Sequence, residues 1–287
     1  MSLLDPNLLA RLSNLALRSR KRGSGVRLGS RRSRRRGQSQ EFADHRPYVA
    51  GDDLRFLDWH LYGRLDTLWV KLFEEEEDRV VQVLLDASSS MAGEKLDYAR
   101  KVAAALGFVA LAGTDRVSVA ALSDHLAHYA PPRRGRGQRA GVFAALESIE
   151  AAGTTDLARA LAKLPRQRGM GIGLLFTDFL YQEDPETVLR RLLARGMELH
   201  VFQVLSPVDI RPDVDGDLTL VDAETGEELT VSVSEDVLDR FERSARAWCE
   251  VVEQTCARLG VGYSRVLTTV PVEDFVLREL RAAGLLT

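Results

Sequence analysis

The sequence predicts an α/β protein built on a doubly wound, mostly parallel sheet. Three observations lead there. From residue 79 onward, short apolar runs alternate with segments of helical periodicity, which is the order of βαβ units. The apolar runs, such as "RVVQVLLDA" and "GMGIGLLFTDFL", are nearly continuous, as strands covered on both faces are. With 287 residues, 45% of them hydrophobic, the chain is long enough to bury such a sheet.

The elements follow in order. "LLARLSNLALRSR" spaces its leucines as one short helix would, and "KRGSGVRLGSRRSRRRGQSQ" has almost nothing to bury, so residues 1–40 read as a basic, flexible arm. Residues 41–78 are dense in aromatics and charges, with turn signals at "GDD" and "YGRLD" and a strand-like "TLWVKLFEE"; they predict a small β-rich extension. Residues 79–287 form the α/β domain. Its strands are "RVVQVLLDA", "DRVSVAALS", "GMGIGLLFTDFL", "MELHVFQVLS" and "VGYSRVLTT". Its helices are "EKLDYARKVAAALGFVALA", "RAGVFAALESIEAA", "TDLARALAKLP", "DPETVLRRLLARG" and "EDVLDRFERSARAWCEVVEQTCARLG". A β-hairpin at about 217–232, turning at Thr225-Gly226, interrupts the alternation.

Charge is distributed unevenly. Residues 1–40 hold eleven Arg or Lys and one acid, Asp5, while the remainder holds 28 basic and 41 acidic residues. No uncharged apolar run reaches the roughly 18 residues of a membrane span. The N-terminus puts its apolar part before its charges, the reverse of a secretory signal, so a cytoplasmic protein is expected. Cys249 and Cys256 lie seven apart in a predicted helix, about 10 Å between Cα atoms, which is too far for a disulfide.

In doubly wound sheets, ligands collect at the carboxyl ends of the strands. Asp86 closes the first such strand, with Ser88 and Ser90 in the loop behind it. "AAGTTDL" sets Thr154, Thr155 and Asp156 before a helix, and "LLFTDF" sets Thr177 and Asp178 at a strand end. These are hard oxygen donors, with no His or Cys among them. They suit Mg²⁺, with Mn²⁺ or Ca²⁺ as alternatives, and not zinc. Each residue taken singly also suits a helix N-terminus, and Asp156 reads better as a helix-end charge than as a ligand.

Asp86-x-Ser88-x-Ser90, Thr155 in "GTTDL" and Asp178 in "FTDF" together resemble the metal-ion-dependent adhesion site of von Willebrand factor A-type domains, a Rossmann-like fold. The resemblance implies one Mg²⁺ held by Asp86, Ser88, Ser90, Thr155 and Asp178, with a carboxylate from a binding partner completing the shell. "GQSQEFADHRPYVAGDDLRFLDWHLYGRLDTLWVKLFEEEED" and "LVDAETGEELTVS" resemble domain-of-unknown-function family 58, over roughly residues 37–280. That resemblance implies a non-enzymatic adaptor or partner of a MoxR-type AAA+ ATPase or of its client. Many members of that family carry N-terminal membrane spans, which this sequence does not show.

Other readings compete. The arm's Arg31, Arg32, Arg34, Arg35 and Arg36 suit nucleic acid, or an anionic surface such as a peripheral membrane contact, although no aromatic residue interleaves them for base stacking. His45, Arg46, Asp52, Asp53, Arg55, Asp58 and Trp59 read as a buried polar network, or, for Asp52, Asp53, Arg55, Asp58 and Trp59, as a partner surface. A metal-dependent phosphoester hydrolase would need more carboxylates, and no GxxxxGK[ST] or GxSxG motif is present, so the expectation is a protein without catalysis. "DVDGD" at 213–217 lacks the glycine offset and closing Glu of a calcium loop.

Overall fold

The computed structural model describes residues 3–18, 41–74, 79–166, 171–181 and 183–287. The five arginines of the arm lie outside the described residues. The chain divides into two compact units, Met1–Arg20 with Asp78–Thr287, and Lys21–Glu77.

The chain opens with α1 (Pro6–Leu12), which belongs to the larger unit. The sequence put this segment in the arm. Instead Leu4, Leu8, Leu12 and Leu17 are buried in the main core, and Leu17 bridges Leu286. The physical reason is twofold: Leu8 and Leu12 share one face of α1, and Leu17 is tied in by its bridge to Leu286.

The smaller unit is an antiparallel pair, β1 (Glu41–Pro47) with β2 (Trp69–Glu74), joined through a helical turn at Leu54–Phe56 and α2 (Trp59–Leu65). The turn expected at "YGRLD" is therefore the end of a helix. Asp58 starts it by accepting from the backbone of His60 and Leu61, and Asp66 stops it in the left-handed region at φ +50°. The expected buried polar network is buried only in part. Asp58 is buried and meets His45 at 2.9 Å and Lys71 at 3.2 Å, while Arg46 grips Asp52 through two bonds of 2.6 and 2.7 Å. Asp53 and Arg55 form an exposed pair, and Trp59 is 61% exposed. The Arg46 guanidinium holds the Asp52 carboxyl down at about 2, and Arg55 does the same for Asp53.

The larger unit carries a six-stranded sheet. Its strands are β3 (Val80–Asp86), β4 (Arg116–Leu122), β5 (Leu126–Arg134), β6 (Gly171–Thr177), β7 (Met197–Leu205) and β10 (Gly262–Leu267), in spatial order β10-β7-β6-β3-β4-β5. All neighbours run parallel except β4 and β5. β5 was not legible in the sequence because Pro131 and Pro132 sit in it. A proline cannot donate to a ladder, and it is tolerated here because β5 is an edge.

Alternation along each strand sends side chains to two cores. Val81, Val83 and Leu85 join the core under α1, α3 (Glu94–Ala112), α4 (Arg139–Glu147) and the C-terminal helical segment Val272–Ala282. Leu84 joins the other, under α5 (Leu157–Lys163), α6 (Pro185–Leu193) and α8 (Glu235–Arg258). Cys249 and Cys256 are free and buried in α8. After β7 comes the short α7 (Pro207–Ile210), then the hairpin of β8 (Gly216–Val221) and β9 (Glu228–Val233), most of whose residues are exposed. Among the described residues, no helix is long and apolar enough to cross a membrane.

Candidate metal centre

The connection from β3 leads to β4 on one side, and the chain later returns to β6 on the other. The carboxyl ends of β3 and β6 therefore flank a topological switch point, where an open α/β sheet leaves a crevice. Asp86 ends β3, and Thr177 ends β6 with Asp178 directly after it. Asp86, Ser88, Thr177 and Asp178 are all fully buried.

The polar groups form one connected set. Asp86 Oδ1 accepts from the Ser88 hydroxyl at 2.7 Å and from the Ser88 amide at 3.0 Å. Ser88 and Ser90 hydroxyl oxygens lie 3.1 Å apart. Thr177 donates to Asp86 Oδ2 at 2.7 Å. The loop carrying Thr155 is stitched alongside by Ala152 N to Ala87 O (2.8 Å) and Ser89 N to Gly153 O (3.0 Å). Gly153 makes that approach in the left-handed region, at φ +79°. Asp156 caps α5 by accepting from the Arg159 amide, a helix-end role.

Two of the expected ligands already have partners. Asp178 Oδ2 accepts from Lys95 Nζ at 2.7 Å, and the same ammonium reaches Asp209 at 3.4 Å. Burial pulls the Lys95 ammonium down, and the two carboxylates more than offset this, leaving its pKa above the ordinary lysine value. Thr155 donates its hydroxyl to Glu224 Oε1 at 2.6 Å and its amide to Glu224 Oε2 at 2.8 Å.

Lys95, Asp209 and Glu224 were missed in the sequence. Lys95 had a signal, since a lysine in the first turn of a helix opposes the macrodipole and calls for an acidic partner. Asp209 had one as well, because Ser206-x-x-Asp209 is a capping box that fixes the loop after β7. Glu224 had none beyond its place in the hairpin turn.

Burial, then the charge of Asp178, pushes the Asp86 carboxyl up to about 7, against the pull of its bonds from Thr177 and Ser88. The backbone adds strain next door. Phe179 is fully buried at φ +56°, a conformation costing about 1–2 kcal/mol for a residue with a side chain. It is held there by Thr177 Oγ1, which accepts from its amide at 3.2 Å, and by Trp248 Nε1, which donates to its carbonyl at 2.8 Å.

The donor set fits a hard divalent cation. Asp86, Ser88 and Ser90 supply oxygens in one cluster, with Thr155 on the adjoining loop. Among the described residues, no group of three or more His, Cys, Asp or Glu side chains gathers to hold a metal. Hydroxyls with few carboxylates are donors that suit Mg²⁺ better than zinc.

The sheet order, parallel throughout except for the β4–β5 edge, defines a doubly wound α/β protein with a polar cluster at its switch point. The chain belongs to the family described as "Protein of unknown function DUF58", which matches residues 44–250. Uncharacterized protein Mb1516 of Mycobacterium bovis and uncharacterized protein Rv1480 of Mycobacterium tuberculosis are each 30% identical over 266 residues, covering 89% of this chain and 83% of the relative. Among solved structures, BatB from Bacteroides thetaiotaomicron is similar at TM-score 0.42 and 14% identity, over 72% of this chain and 98% of its own. An aerotolerance-related membrane protein from Bacteroides fragilis is similar at TM-score 0.44 and 16% identity, over 72% and 96%.

Proposed function

We propose that this protein is a non-enzymatic interaction module that holds a partner's carboxylate at a Mg²⁺-dependent site. The observation that carries the reading is the convergence of Asp86, Ser88 and Ser90 oxygens at the switch point, around a carboxylate whose burial makes its own charge costly. A hard divalent cation, when bound, supplies an electrophilic position that an outside carboxylate can fill.

The chain's own groups have distinct tasks. Asp86 contributes the carboxylate, oriented by Thr177 and Ser88. Ser88 and Ser90 contribute hydroxyl oxygens, and Thr155 contributes a third from the adjoining loop. Asp178, paired with Lys95, acts at one remove. This division leaves the site only partly neutralised, so it favours an acidic partner over a basic one. In this reading the acidic partner is a MoxR-type AAA+ ATPase or its client.

Two measurements test the reading. Saturating Mg²⁺ should stabilise the wild-type protein by about 2–3 kcal/mol once the ion stands about a hundredfold above its Kd. Asp86→Ala should remove that gain. Capture of protein partners should need Mg²⁺ and fail in EDTA, and Asp86→Ala should capture none in either. Equal thermal midpoints with and without Mg²⁺ would refute the metal site.

A further inference from the structure

The hairpin of β8 and β9 forms a two-stranded sheet of its own. A two-stranded hairpin is marginal in water unless something fastens it, and this one packs little apolar surface. Leu220, Val221 and Leu229 are exposed by 49%, 61% and 64%. Its turn is nevertheless built with care. Asp222 Oδ1 accepts from the amides of Glu224 and Thr225, at 2.9 and 2.7 Å, and Gly226 turns the chain at φ +74°. The effect is to aim Glu224 outward from the tip. Its carboxylate takes both donors of Thr155, amide and hydroxyl, across 69 residues of sequence.

We propose that Glu224 is an intramolecular ligand of the site: its carboxylate, held by the amide and hydroxyl of Thr155, stands in for the carboxylate that an acidic partner brings to the site. The proposal rests on the carboxylate-binding reading above and deepens it. A carboxylate that collects a backbone amide and a hydroxyl together makes the paired contact by which charged oxygens are held strongly. Thr155 therefore recognises carboxylates, and the chain fills that place with its own. The tether gives Glu224 an effective concentration in the millimolar range or above. A free acid must exceed that concentration, whereas a partner that also grips the exposed hairpin can displace the tip. Two states follow: one closed, with Glu224 on Thr155, and one open, with Thr155 available.

The test compares wild type with Glu224→Gln, as the full chain, using amide resonances and sodium acetate as the probe. In the absence of acetate, Glu224→Gln should exchange the Thr155 amide at least about tenfold faster than wild type, because its acceptor is weakened, while the Gly226 amide, bonded to Asp222, stays unchanged. On titration, acetate should shift the Thr155 resonance in Glu224→Gln at a concentration at least about tenfold lower than in wild type. Unchanged Thr155 exchange in the variant, or identical acetate titrations of the two proteins, would overturn the proposal.

Running both titrations in Mg²⁺ and in EDTA separates the two readings. A variant-specific acetate response of equal strength in both conditions would leave Glu224 as the self-ligand and defeat the metal requirement. A Mg²⁺-dependent shift of equal size in both proteins would do the reverse.

Discussion

Replacing Lys95 with methionine should destabilise the protein by about 3–5 kcal/mol, the cost of leaving one member of a buried ion pair without its partner. Asp178 has no solvent exposure and Lys95 has 8% at the side chain, so water cannot take over the missing charge. Methionine keeps the length and apolar stem of lysine, so packing on α3 changes little, and the loss reports the charge. Asp209 would lose its contact with the ammonium as well, but it sits nearer the surface and keeps its bonds to Ser206.

The control is the double variant Lys95→Met with Asp178→Asn. It should recover more than half of the loss, since it removes the orphaned charge. Urea unfolding of the wild type, both single variants and the double gives the coupling directly. A single-variant loss below about 1 kcal/mol would place the pair among solvated ion pairs, and the pair could then not serve as the electrostatic frame of the site.

The sequence and the structure agree where the local signal is strong. α3 spans the residues that its helical spacing marked, because its apolar positions recur on a wide face. β3 and β6 were legible because both faces of each strand are covered, so their apolar runs are unbroken. β5 was lost to its two prolines, and α2 to turn signals that its Asp58 cap overrides.

At the site, Asp86, Ser88 and Ser90 lie within a few residues of one another, so spacing alone could gather them. Lys95 meets Asp178 across 83 residues, and Glu224 meets Thr155 across 69. No local pattern encodes those meetings. They arise from strand order and from where one hairpin tip lands. One sequence signal was a violation of local preference, a lysine at a helix N-terminus; the buried phenylalanine at positive φ is a second departure, visible only in the fold. Such departures are expected to concentrate where a fold serves something other than its own stability.

Asp86 should make the metal-free protein less stable as pH rises from about 4 to about 7. The ordinary carboxyl value is 3.8, and burial beside Asp178 lifts it to about 7 in the folded state. Between those values the folded chain keeps a proton that the unfolded chain releases. The stability that this proton contributes is complete below pH 4 and is lost through the window up to 7. Roughly three pH units correspond to roughly 4 kcal/mol.

Asp86→Asn cannot titrate, so the difference in stability between wild type and variant should shift by about that amount across the window, in EDTA, with the carboxylates remote from Asp86 cancelling and the change assigned to the Asp86–Asp178 pair. Asparagine retains one acceptor oxygen for Thr177 or Ser88, so its own penalty is constant with pH and does not enter the slope. Adding Mg²⁺ at pH 7 should restore the wild type and leave Asp86→Asn where it was, because only a charged Asp86 rewards the ion. Parallel stability curves for the two proteins from pH 4 to 7 would show that Asp86 is solvated rather than desolvated. The cost of its buried charge could then no longer be what draws a cation to the end of β3.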